Sequence, residues 1–438
     1  MPDRCSSDRR AAARLPERVA KIASLPFTNN EITEKIFKML ASPDFLSVLC
    51  GSEAQAFWHE NKEIGVDKLL NSAQKKFGKA AALVLQQHAL RAKARQKFPE
   101  MVEIDWLFTP QSFEQASSSA TARFKASLMQ GNVLVDLTAG AGIDAYYLKN
   151  NFQQIVLLEK QAERAALLRW NFKDFAAVKV VEADTHTYLD QLPEHACVYI
   201  DPDRRPDGRR VFQLTDCVPD LRLLLPVLYQ KQAQIWIKTS PMLDIQAGLH
   251  FFGGKAQLFV LAVENELKEL LWLPTTESNC CTAVNLAADG SVIHAFSSAM
   301  PVERKPVPLR MAEPGDWFVE PQLALIKSRQ ANQLAAQMGW SAINNEADYY
   351  LSQTQPAKEL GRVFVVEAVL PYKIKQIKAF CQERQIKQAN IAKRAFFDEV
   401  SEIRKKTGLK DGGVHYFFFT KNKNDAPVVY ITRRFEEK

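Results

Sequence analysis

A chain of 438 residues exceeds what one hydrophobic core organises, so two to four domains are expected. The apolar share of 47% beside 24% charged residues excludes wholesale disorder; no apolar run approaches about 18 residues, and the opening segment lacks the apolar stretch of a secretory signal, so a cytoplasmic protein without a spanning helix is expected. The net charge of +7 sits at one end, because residues 371–438 hold sixteen Lys and Arg against eight Asp and Glu, which points to a polyanion or to a solvated basic face.

Residues 30–98 repeat apolar positions at three and four, as in ITEKIFKML and VDKLLNSAQKKF, and predict a helical module. Its last helix ends in Arg91, Lys93, Arg95 and Lys97, and Pro99 closes it. After a polar stretch the period changes to short apolar runs, NVLVDL, QIVLLE, VKVVEAD, CVYIDPD and QIWIKTS, separated by segments long enough for crossover helices. That alternation predicts a parallel α/β sheet. KAQLFVLAVENELKELLWLP then reads as a hairpin, an ending that suits a methyltransferase sheet better than a dinucleotide-binding one. CTAVNLAADGSVIHAFSS reads as a second hairpin turning at Asp289 and Gly290, and ALIKSRQANQLAAQMGW as a single helix. The last segment orders as strand (RVFVVEAVL), helix (YKIKQIKAFCQERQ), strand (QANIAKRAF), helix (FDEVSEIRKKTG) and two strands, VHYFFFTKN and PVVYITRR.

Chemistry concentrates at the ends of the parallel strands. Asp136 ends the first, followed by a turn through Thr138, Ala139, Gly140 and Gly142, where glycine lets a ligand approach the backbone. Gly140 to Ala145 also satisfies the NAD fingerprint GxGxxA. A carboxylate at the strand tip repels a pyrophosphate but suits the ammonium group of S-adenosylmethionine (SAM). Glu159, with Lys160 beside it, ends the second strand where a ribose would be held, which fits either cofactor. Asp184 and Thr185 follow the third, where an adenine amino group could be met. Each acid alone is more often a turn or a helix cap, but three at successive strand ends favour SAM. Cysteines and histidines show neither CxxC nor HExxH spacing, so no metal site is expected.

In this order DLTAGAG, LLEK, EAD and IDPD resemble motifs I to IV of class I SAM-dependent methyltransferases. The last is similar to the DPP or NPP signature of enzymes that methylate nucleobase or amide nitrogens. The resemblance implies that Asp201, Pro202 and Asp203 form the catalytic turn, the acidic side chain and the following carbonyl accepting hydrogen bonds from the target amino group. Here Asp203 replaces the second proline, and Arg204 stands where an aromatic residue usually stacks. Arg204 and Arg205 either grip a phosphate or pair with Asp203 or Asp207 to hold the loop. After the fifth strand, Lys238, Thr239, Ser240 and Pro241 offer no thiol for covalent attack on a pyrimidine.

From about Ile32 onward the chain resembles a family of bacterial methyltransferases with a THUMP-like C-terminal domain, on IDPDRR, EQASSSATARFKASL, VEPQLALIK and the basic C-terminus. This implies a Rossmann-like class I sheet with a helical N-terminal domain (1–105), a catalytic domain (106–275), a ferredoxin-like α+β module (276–365) and a basic THUMP-like domain (366–438). THUMP domains are associated with structured RNA, and Lys393, Arg394, Arg404, Lys405 and Lys406 would supply a phosphate-binding face. Phe417, Phe418 and Phe419 alternate across a strand, so at least one faces the core. The expected function is SAM-dependent methylation of a base nitrogen in RNA. The alternatives are a methyltransferase acting on a small molecule or protein and a non-catalytic RNA-binding protein with a vestigial pocket. A dehydrogenase lacks an evident hydride-transfer constellation.

Overall fold

The computed structural model describes residues 43–101, 105–202, 214–275, 279–300 and 302–435. They form two compact units, one ending at Thr239 and the other beginning at Ser240. None of the described helices is long and apolar enough to cross a membrane.

Among the described residues the first unit begins with helices α1 (Pro43–Cys50), α2 (Ser52–Glu60), α3 (Val66–Phe77) and α4 (Ala81–Lys97). Leu69 and Ala73, four apart on α3, share a core with Leu83, Val84 and Leu85 of α4, and the Trp58 indole N–H donates to the Val84 carbonyl at 2.9 Å. Residues 105–109 follow without regular structure, yet their backbone is satisfied by side chains. The Gln87 amide holds both the N–H and the carbonyl of Phe108, at 3.1 and 2.6 Å, and Asn171 does the same for Leu107, at 2.8 and 3.0 Å. Thr109 and Ser112 then form a capping box that starts α5 (Pro110–Gln115), with proline at its first position, and Ser118 caps α6 (Ser119–Leu128).

The apolar runs become parallel strands β1 (Gly131–Asp136), β2 (Phe152–Glu159), β3 (Val178–Glu182), β4 (Cys197–Ile200) and β5 (Gln234–Thr239), in the order β3-β2-β1-β4-β5. Between them run α7 (Ile143–Leu148), α8 (Ala162–Asn171), α9 (Thr185–Tyr188) and α10 (Leu221–Gln230). The chain steps outward from β1 to β3 and then returns to the other side of β1 as β4. Adjacent crossovers therefore leave the sheet in opposite directions between β1 and β4, and a crevice opens there at the strand C-termini.

In the second unit α11 (Ile245–Phe251) precedes β6 (Ala256–Val263), β7 (Glu266–Pro274), β8 (Cys280–Leu286) and β9 (Val292–Ala299), ordered β7-β6-β8-β9. The first hairpin turns at Glu264 and Asn265, both at positive φ. A mixed seven-stranded sheet follows from β10 (Trp317–Pro321), α12 (Leu323–Lys327), α13 (Ala331–Gln337), β11 (Ser341–Ala342), β12 (Tyr350–Ser352) and β13 (Gly361–Pro371). It is completed by α14 (Ile374–Glu383), β14 (Asn390–Lys393), α15 (Val400–Thr407), β15 (His415–Lys421) and β16 (Pro427–Arg434). The strand order is β11-β12-β10-β13-β16-β15-β14.

One expectation is corrected here. The single helix predicted over 324–340 is two, α12 and α13, broken where Arg329 takes φ 61°. Buried Gln330 donates from its amide to the Cys281 carbonyl and to Ser298 Oγ, each at 2.8 Å, and this pull outweighs one more helical turn. All three phenylalanines of β15 are fully buried, in keeping with the expectation that at least one faces the core. Phe417 and Phe419 face Ile377 of α14 and Ile403 of α15, while Phe418 packs on Phe318, Tyr349 and Tyr430, so this strand is covered on both faces.

Candidate active site between β1 and β4

Asp136 ends β1 with 2% of its surface exposed, and its Oδ1 accepts the Thr138 backbone N–H at 2.9 Å. Burial pushes its carboxyl up to about 7; the Thr138 N–H opposes the rise, and Asp144 and Asp201 add to it by repulsion. Thr138 Oγ1 accepts the Asp201 backbone N–H at 2.7 Å, which ties the end of β1 to the end of β4 across the crevice. The intervening turn needs glycine at both positions that have it. Gly140 and Gly142 lie at φ 55° and 80°, and a Cβ on Gly142 would stand 2.4 Å from the Phe172 ring. Ala139 is buried, with its N–H on the Leu158 carbonyl, and the Trp106 indole N–H braces the turn at the Ala141 carbonyl.

Glu159 is buried at the end of β2, with Oε1 accepting the Gln161 N–H at 2.9 Å. Its carboxyl is raised by burial against the pull of that N–H, Arg164 and Lys160. Lys160 is exposed. Asp184 is also exposed and caps α9 by accepting the His186 N–H at 2.9 Å, the cap role that the sequence leaves open for it. Thr185 Oγ1 donates to the Leu137 carbonyl at 3.0 Å and so holds the end of β1.

Beneath this surface lies a network that sequence reasoning missed. Lys125, fully buried on α6, pairs with Asp144 Oδ1 at 2.9 Å. Asp144 Oδ2 accepts from the Ser117 and Tyr199 hydroxyls, each at 2.9 Å. Ser117 Oγ in turn accepts from Lys125 Nζ at 2.8 Å and Lys238 Nζ at 3.3 Å, and Lys238 pairs with Asp201 Oδ2 at 2.5 Å. Burial pushes Asp144 upward, but Lys125, Lys238 and the hydrogen bonds from Lys125 and Ser117 outweigh it and hold the carboxyl below its ordinary value. Burial raises Asp201, with Lys238 working against the rise. The available signal was charge in apolar surroundings: a lysine inside QIWIKTS, and another on the apolar side of SATARFKASL.

Asp201 and Pro202 are thus at the crevice, whereas Asp203, Arg204 and Arg205, with Asp207, lie outside the described residues. In the C-terminal region Lys393 pairs with Glu399 and Lys406 with Asp398, each at 2.5 Å, and Arg404 pairs with Asp411. Arg394 bonds Glu320 at 2.7 Å and the carbonyls of Ala347 and Asp348, with its guanidinium 4.5 Å from the Tyr349 ring centre. Of the five cations, Lys405 alone has no ion-pair partner among the described residues. No group of His, Cys, Asp and Glu among the described residues is placed to hold a metal ion.

The polar groups fit SAM. A buried carboxylate faces the crevice at the end of β1, a second ends β2, and the Gly140 turn leaves its backbone open. Comparison with known proteins agrees. Residues 361–434 match the family described as THUMP domain-like. Over 292 residues the chain is 25% identical to uncharacterised SAM-dependent methyltransferases from two strains of Mycobacterium tuberculosis, covering 64% of this chain and 76% of theirs. A solved candidate methyltransferase from Porphyromonas gingivalis W83 shares the fold at a TM-score of 0.76 and 24% identity, covering 90% of this chain and 99% of that one. With that sheet order and those strand-end carboxylates, the chain is a class I SAM-dependent methyltransferase with a THUMP-like C-terminal domain.

Proposed function

We propose that the enzyme methylates a base nitrogen in structured RNA, with residues 106–275 performing the transfer and the basic C-terminal region docking the RNA. The observation that carries this reading is the Asp201 carboxylate at the switch point, tied through its own N–H to the turn after Asp136. SAM supplies a methyl carbon activated by its sulfonium, so the protein has mainly to align a nucleophile and keep the site dry. Asp136 holds the cofactor's ammonium group beside the Thr138–Gly142 turn, Glu159 and Lys160 its ribose, and Asp184 and Thr185 its adenine. Asp201 and the Pro202 carbonyl orient the target amino group, and Asp201 receives its proton late in the transfer. Asp203, Arg204 and Arg205 complete the substrate side.

For RNA, the pairing of Lys393, Arg394, Arg404 and Lys406 within the fold moves the emphasis to other cations. Lys375, Lys378, Arg384 and Lys387, on and just after α14, are exposed and without ion-pair partners among the described residues, as are Lys405 and Lys410. Such a face neutralises phosphates without reading sequence.

The test is transfer of labelled methyl from SAM into total RNA from cells lacking the gene, with Asp201→Ala as the blank. Incorporation dependent on Asp201 is expected, with a loss of about 10²–10⁴-fold in the variant. No incorporation by a protein that binds SAM would overturn the RNA reading in favour of a small-molecule or protein substrate.

A further inference from the structure

The buried network beneath Asp201 has a direction. Ser117 has one hydroxyl proton and two lone pairs, and all three are used: it donates to Asp144 and accepts from Lys125 and Lys238. Lys125 and Asp144 are neutralised by each other at 2.9 Å, inside the protein. Lys238 lies one step nearer the surface, with 11% of its side chain exposed against 34% for Asp201, its ion-pair partner. The cation is the buried end of this pair, and the carboxylate is the end that reaches the crevice.

We propose that Lys238 is a positioning residue for methyl transfer: anchored by Ser117, it takes Oδ2 of Asp201 and keeps that carboxylate an anion, presenting Oδ1 to a neutral amino group. The inference rests on the reading that Asp201 orients the target amine. It also narrows the substrate class. A nucleobase or amide nitrogen is neutral at physiological pH and donates an N–H to an anion. An alkylammonium group has no lone pair with which to attack, and an anion held beside it would stabilise that unreactive protonated form. Without Lys238, the desolvation that already raises Asp201 acts unopposed by its nearest cation, and the acceptor is lost to protonation.

The test compares the full chain with Lys238→Met, Lys238→Arg and Asp201→Asn. Aspartate labelled with ¹³C at the carboxyl reports each titration, and the resonance absent in Asp201→Asn identifies Asp201. In Lys238→Met its midpoint is expected to move up by about one pH unit or more, and in Lys238→Arg to stay near that of the parent protein. Methyl transfer to the same total RNA should fall about 10-fold in Lys238→Met about one pH unit below its shifted Asp201 midpoint, recover as pH rises, and return in Lys238→Arg, with KM for SAM unchanged. A purely structural lysine would lower activity equally at every pH. If Lys238→Met does not fold, Lys238→Gln, which retains a donor without the charge, carries the same titration. An unmoved Asp201 midpoint overturns the proposal even if transfer depends on Asp201. Full activity in Asp201→Asn would instead sink the reading on which it rests, and the titration would still report whether Lys238 holds the carboxylate.

Discussion

Lysines paired with carboxylates occur both behind the crevice of the first unit and on the outer face of the C-terminal region, and their surroundings give them different work. Lys125 and Asp144 are shielded, so their attraction is strong and each depends on the other. Lys393 and Glu399 are closer still, at 2.5 Å against 2.9 Å, but Glu399 is 70% exposed and water screens the pair. Distance alone therefore says little about what an ion pair contributes; the dielectric around it decides. The first arrangement can set a protonation state beside the proposed reacting atoms, whereas the second leaves neighbouring lysines, without ion-pair partners among the described residues, open to the proposed contact with RNA.

The largest effect expected from breaking this contrast is at Lys125. Lys125→Met strands Asp144 in the interior and should cost about 3–5 kcal/mol in urea unfolding, with much of the loss recovered when Asp144 is also replaced by leucine. A smaller effect concerns Asp136, whose carboxyl lies near 7. Its ionised form is the one that attracts an ammonium group, so SAM affinity should rise about 10-fold between pH 6 and 8, read by calorimetry, and Asp136→Asn should abolish that dependence. The stability sign is opposite. A raised carboxyl binds its proton more tightly when folded, so this group's contribution to apo stability falls as pH rises from about 4 to about 7, and Asp136→Asn should remove that fall. On the basic face, Lys375→Glu with Lys378→Glu should weaken RNA binding and flatten its dependence on salt by about two counterions, measured by filter binding from low to moderate salt. Glu399→Gln should change stability by less than about 1 kcal/mol; a larger loss would erase the distinction drawn here.

The strand ends were legible because they follow from periodicity. Asp136, Glu159, Asp184 and Asp201 each stand where an apolar run stops, and a parallel sheet places such points along one edge. Lys125, Ser117 and Asp144 belong to no motif, and only the crossing of α6 and α7 near β4 brings them to Tyr199. The C-terminal cations were found as a charged segment, but which of them are already satisfied depends on partners as distant in sequence as Glu320 is from Arg394.

What the sequence determined by itself was local: the strand runs, the turn glycines, the capping signals and the strand-end acids, because each depends on the conformation of a few neighbouring residues. The tertiary structure decided the rest. It broke the helix at Arg329, covered both faces of β15, carried one sheet from β11 to β14 across residue 365, and set Lys238 against Asp201. These outcomes depend on which surfaces are removed from water and which charges are left without it, and desolvation is a property of the packed chain rather than of any segment.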